Sequence, residues 1–296
     1  MPPRNPIQTR RFRWSTERFH RLAKLLLYLL TTGAGSIAIA QKSLQPGTSI
    51  NIADKQRFLS QRLGKDFIFR FLNQHADVAT RELQTSVVQF EENLKILKAN
   101  TPPTMAALLA KQESLWADYK KLLQAEPNRD NAQAVLAANS QLLAATNDVV
   151  VTLMKWAATQ PRPESETKTA VDAIAANTSQ AGRIRLLTQR LTLYYGAHVG
   201  GLTTPNNDIV KQIQQIATGI QTGITTLVMS DMNTIEVDDA IAQAVIDWRE
   251  IEEKCNKTNC LAFEDKSMDP GEVFTVTNRM LAKMDKITAI YAKLLD

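Results

Sequence analysis

Beyond residue 45 the apolar positions recur at intervals of three and four, and no run alternates apolar and polar residues with a period of two. That is the pattern of amphipathic helices, not strands. Breakers cut it into eight segments, at about 47–73, 78–99, 103–125, 129–159, 167–201, 206–230, 235–257 and 270–296. Pro102-Pro103 and Pro127-Asn128 bound the third, Pro161 and Pro163 end the fourth, and Gly200-Gly201 and Pro205 separate the fifth from the sixth. Asp269-Pro270-Gly271 opens the last, with Asp269 as an N-cap and Pro270 at the first helical position. The predicted fold class is all-α.

A short run occurs twice. Arg57-Phe58-Leu59-Ser60-Gln61-Arg62-Leu63 returns without a gap as Arg185-Leu186-Leu187-Thr188-Gln189-Arg190-Leu191, 128 residues later. The correspondence extends outward. Trp116 and Trp248 both fall in the third segment of their copy. Gln141-Leu142-Leu143-Ala144 and Arg279-Met280-Leu281-Ala282 fall in the fourth. A repeat of domain length sets the architecture. It divides the chain into a domain at 45–160 and a second at 167–296, each read as an up-down four-helix bundle because its loops are short. The 73–78 break carries no Pro or Gly and is inferred from its counterpart in the second copy.

On the first helix of each copy, Ala53, Arg57, Ser60 and Gly64 share one stripe, as do Ala181, Arg185, Thr188 and Thr192. Phe58, Leu59 and Leu63, and likewise Leu186, Leu187 and Leu191, lie away from it. Two faces imply two packing partners: the leucines face the helix's own bundle, and the small residues admit another helix. An arginine held in such a stripe presents five donors in a planar fork suited to a small oxyanion. An isolated arginine on a helix is more often solvated or tied in a salt bridge, and the repetition in the same context is what lifts Arg57 and Arg185 above that reading. Arg62 and Arg190 also repeat but point elsewhere and read as structural.

Composition alters this picture in two places. The net charge of +5 belongs to the leader. Residues 1–40 hold seven basic residues and one acidic residue, and removing them from 35 basic and 30 acidic leaves 28 and 29, a charge of −1. The basic balance is therefore no sign of nucleic-acid binding. A basic stretch followed by the apolar run Leu25–Ala40, ending Ala38-Ile39-Ala40, reads as a signal peptide over residues 1–40, or as an uncleaved N-terminal anchor. No later segment reads as a membrane span. The location expected is periplasmic or exported, or at the inner membrane if the leader is retained. Cys255 and Cys260, an even and close pair in an exported chain, are expected to form a disulfide.

The run Ile50-Asn51-Ile52-Ala53-Asp54-Lys55-Gln56-Arg57-Phe58-Leu59-Ser60-Gln61-Arg62 resembles the signature of PilJ-type sensor domains, found in type IV pili methyl-accepting chemotaxis transducers, with the NarX-like nitrate/nitrite sensors as relatives. Asp54 stands where the family usually has Gly, and Phe58 where it has Met. The second copy keeps Ala181, Gly182, Arg183, Arg185, Leu187, Gln189 and Arg190, with Ser179 where Asn is usual. The resemblance covers about residues 45–296. It implies that the arginine matching Arg57 and Arg185 binds a small anion, nitrate or nitrite, where two first helices meet on a two-fold axis; Ser60 and Thr188, on the same stripe as these arginines, are the candidate ligand-binding residues beside them. Asp54 adds negative charge a turn from Arg57.

The expectation is an exported sensory or ligand-binding module, related to chemotaxis and without its own signalling output domain, which works with a membrane receptor or transducer partner. The alternative is a structural or protein-interaction bundle that has lost its ligand. No cofactor, metal site or enzyme activity is read: the chain has no Cys-x-x-Cys-His, no Glu-x-x-His pair and no Gly-rich phosphate loop, and His20, His75 and His198 do not cluster. Whether the chain forms a homo-oligomer stays open. The link from Gln160 to Thr167 reaches at most about 27 Å, at 3.3–3.6 Å per residue. The fifth helix then starts near the start of the first and runs parallel to it, making an internal pseudo-dimer. Two unpaired arginines facing each other there would repel.

Overall fold

The computed structural model describes residues 44–160, 168–204, 208–254 and 261–296. The leader and the Cys255–Cys260 pair lie outside the described residues, together with the expectations attached to them.

The fold is all-α. Among the described residues the long helices are α1 Pro46–Phe71, α2 Ala76–Asn100, α3 Ala106–Leu123, α4 Arg129–Ala157, α5 Lys168–Val199, α6 Ile209–Val228, α7 Ile235–Lys254 and α8 Pro270–Leu295. A 3₁₀ turn, Pro103–Met105, precedes α3, and a single helical turn, Leu261–Glu264, precedes α8. Their ends follow local chemistry. Pro46 and Pro270 occupy first-turn positions where no backbone donor is missed. The Asn128 side chain caps α4 by accepting from the Asn131 amide at 2.9 Å, and Asp269 caps α8 by accepting from the Gly271 amide at 3.1 Å. The α1–α2 turn has no Pro or Gly, and its bends fall instead on Asn73 (φ 53°) and His75 (φ 47°). Asparagine and histidine are among the non-glycine residues that tolerate this left-handed region best.

Helix α1 packs on α2, α4, α5 and α8, and α5 packs on α1, α6 and α8. Further pairs close two rings, α2 on α3 and α3 on α4, then α6 on α7 and α7 on α8. Residues 43–296 form one compact unit. A continuous apolar core runs through both halves, so the repeat divides the chain by connectivity while the packing joins it. No residue of α1 is exposed. The two tryptophans hold equivalent places: Trp116 donates to Glu91 of α2 at 3.3 Å, and Trp248 to Gln221 of α6 at 2.6 Å. Each indole ties a third helix to a second.

Helix α4 departs from the sequence reading, being long and apolar enough to cross a membrane. Its buried residues, from Ala132 through Val135, Leu142 and Val149 to Leu153, share the face that meets α1 and α3, which makes it a core helix of this unit.

Candidate functional site

The two copies of the motif meet along the α1–α5 seam. Its register can be read from the glycines of α5. A Cβ on Gly182 would lie 1.9 Å from Asp54 Oδ2, one on Gly196 2.9 Å from the Phe69 ring, and one on Gly200 2.9 Å from the Phe71 ring. Further along, Arg190 donates to Gln61 at 3.0 Å. Contacts rise together in both helices with an offset close to 128 residues, so α1 and α5 run parallel. Gly182→Ala should cost a few kcal/mol through overpacking, because the carboxylate it would strike is held on both sides. A thermal melt showing no loss would place Asp54 elsewhere.

Arg57 and Arg185 converge on one group, the carboxylate of Asp54. Arg57 Nη1 lies 2.8 Å from its Oδ1 and Arg185 Nη2 2.6 Å from its Oδ2. Arg185 also donates from Nη2 to Asn51 Oδ1 at 3.1 Å and from Nη1 to Asp285 Oδ1 at 2.5 Å, and its guanidinium lies 5.4 Å from the Phe58 ring centroid. Arg185 is fully buried, the Asp54 and Arg57 side chains nearly so, and the Asp285 side chain is 41% exposed. Two guanidiniums and two carboxylates balance. The repulsion expected between facing arginines is therefore neutralised from within, by a residue on the first copy whose counterpart in the second, Gly182, leaves room for it. The Nε–H groups of both arginines are buried and without a hydrogen-bond partner.

Ser60 and Thr188 do not join this site. Each hydroxyl turns back to its own helix, Ser60 to the Arg57 carbonyl at 2.7 Å and Thr188 to the Arg185 carbonyl at 2.8 Å. Both are fully buried, so their role is to satisfy the backbone of a crowded seam. Arg62 pairs with Glu82 at 3.1 Å, and Arg190 lies over the Tyr194 ring and donates to its hydroxyl at 2.8 Å.

Asp285 carried no signal in the sequence, because its partner lies 100 residues away. A second polar cluster was missed for the same reason. Lys65, fully buried, donates to Glu82 at 2.9 Å and Asn278 at 2.8 Å and lies 3.2 Å from Asp66 Oδ1. Neither oxygen of Asp66 accepts a hydrogen bond of good geometry, although Lys65 is within ion-pair reach. Burial pushes the Asp66 carboxyl up to about 7, with Lys65 and Arg62 opposing and Glu82 adding to the rise. Burial also acts to raise Glu82, but Lys65 and Arg62 outweigh it and hold that carboxyl at about 2. Compared with known proteins, the chain matches no family model, no curated protein and no solved structure.

Proposed function

We propose that this chain is an exported sensory or protein-interaction module of the PilJ/NarX-like kind, whose two-arginine seam is liganded by its own Asp54 and not by free nitrate or nitrite. It is read as two tandem four-helix units closed on each other as an internal pseudo-dimer, periplasmic or held by an N-terminal anchor, working with a membrane receptor or transducer. The observation that carries this reading is the Asp54 carboxylate lying 2.8 Å from Arg57 and 2.6 Å from Arg185, where an oxyanion bound by both arginines would have to sit. A tethered carboxylate is present at high effective concentration, so a free anion competes poorly with it.

The test is thermal melting with nitrate, nitrite and chloride at matched ionic strength. The wild type should show no shift specific to nitrate or nitrite. Asp54→Gly, which restores the residue usual in the resembling family, should acquire one, reaching about 2.7 kcal/mol of stabilisation at a hundredfold excess over the dissociation constant. If Asp54→Gly gains nothing, the seam is not an oxyanion site. A second reading, direct sensing of nitrate or nitrite, draws support from the two unpartnered Nε–H donors. It prevails if the wild type responds specifically and Arg57→Ala or Arg185→Ala removes the response.

A further inference from the structure

A groove of about 360 Å³ runs along the outside of the seam, between α1, α2 and α8. That volume falls in the range of small-molecule sites. Its floor is apolar, made by the buried side chains of Phe58 and Leu281. Its lining includes Lys55, Gln89 and Asn93, and no hydrogen bond or ion pair engages these side chains within the described residues. Asp285 closes the groove on the α8 side with its Oδ1 on Arg185, leaving Oδ2 available. At the far end Arg62 is paired to Glu82 through Nη2, while its Nε–H is buried and unpartnered. Lys55 and Arg62 are seven residues apart on one helix, so the groove offers about 10 Å between them at 1.5 Å per residue.

We infer that this groove binds a free α-amino acid with an apolar side chain. The complement of an uncommitted ammonium and two amides is a carboxylate, the complement of the free oxygen of Asp285 is an ammonium, and the complement of Phe58 and Leu281 is a short hydrocarbon. A small zwitterion with an apolar arm supplies all three in one molecule. A lone anion would leave the oxygen of Asp285 unanswered, and a lone cation would meet Lys55 as a like charge. The same geometry gives the ligand a route to the seam. An ammonium on Asp285 weakens its hold on Arg185, and Arg185 then leans further on Asp54. Occupancy of the groove is thereby coupled to the contact between the two motif helices. This inference stands apart from the reading of the seam as self-liganded, since it concerns different atoms and a different ligand.

Isothermal titration of the full chain against the individual amino acids, with acetate and methylamine as fragments, tests it. At least one apolar amino acid should bind saturably, and both fragments should bind at least tenfold more weakly. Lys55→Ala and Gln89→Ala should each weaken binding about tenfold or more, whereas Lys121→Ala, on an exposed face away from the groove, should not. Failure of every amino acid to bind, binding of acetate as tight as that of the amino acid, or binding unaffected by Lys55→Ala would overturn the proposal. The nitrate response of Asp54→Gly is scored separately, so either proposal can fail while the other stands.

Discussion

Arg185→Ala should lower the stability of the folded chain by about 3–5 kcal/mol, the loss typical of removing one partner from a buried ion pair. The size follows from what is left behind. Asp54, nearly fully buried, would keep only Arg57, while Asn51 and Asp285 would each lose their donor. Asp285 is part exposed and can turn to water; Asp54 cannot. Arg57→Ala should cost less, because Asp54 retains Arg185 and the Arg57 side chain already reaches solvent at 10% exposure. The pseudo-symmetry of the seam supplies a sharper check. Gly182 faces Asp54 across the two parallel helices, so moving the carboxylate from one copy to the other should return it to the same pair of guanidiniums. Asp54→Gly and Gly182→Asp should each destabilise, the first by stranding two arginines and the second by crowding two carboxylates. The double swap should recover most of the loss. Urea unfolding of the four species gives the coupling directly. Additive losses in the double variant would mean that the two arginines are held by other groups and that Asp54 is incidental.

How far the sequence reached depends on the range of each interaction. Helix spans were legible because their signals are local: Pro46, Asn128 and Asp269-Pro270 act on their own first turns, and the three-four periodicity is a property of consecutive residues. The parallel seam was legible because the repeat and a short link constrain direction without any knowledge of contacts. The occupant of the seam was not. Asp54 was visible as a departure from the resembling family's glycine, but that it spans to Arg185 depends on a gap at Gly182 that only the packed structure shows. Ser60 and Thr188 misled for a general reason. A hydroxyl in a helix can serve the carbonyl three residues back as readily as a ligand, and nothing in the stripe distinguishes the two. Asp285 and Asn278 lie seven residues apart on one face of α8, yet the groups they engage, Arg185 and Lys65, belong to α5 and α1.

Stability should also fall as pH rises from about 4.5 to 7, opposite in sign to the usual carboxylate, and Asp66→Asn should abolish that fall. The Asp66 carboxyl goes from an ordinary 3.8 to about 7 on folding. A group whose pKa is raised in the folded state favours folding while both states are protonated, here below 3.8, and loses that contribution as pH climbs through 7. At about 1.4 kcal/mol per pH unit the total is of order 4 kcal/mol. The cause is structural: Asp66 is completely buried, and neither oxygen receives a well-formed hydrogen bond that would reward ionisation. Glu82 bends the curve the other way at low pH. Its carboxyl is held at about 2 against an ordinary 4.5, so its contribution is complete above 4.5 and is lost as pH falls toward 2. The two carboxyls share Lys65, and their opposite slopes cancel where the windows overlap, so the maximum should lie at about pH 4, between 3.8 and 4.5. In Asp66→Asn the acid limb caused by Glu82 should remain, the decline between 4.5 and 7 should flatten, and at pH 8 the variant should be the more stable protein by a few kcal/mol. Urea midpoints at half-unit steps from pH 3 to 8 for both proteins isolate the difference, since every other titrating group is common to them. A wild-type curve that is flat or rising from pH 4.5 to 7, or an equal decline in the variant, would show that Asp66 is already ionised in the folded chain and that Lys65 and Arg62 outweigh its burial.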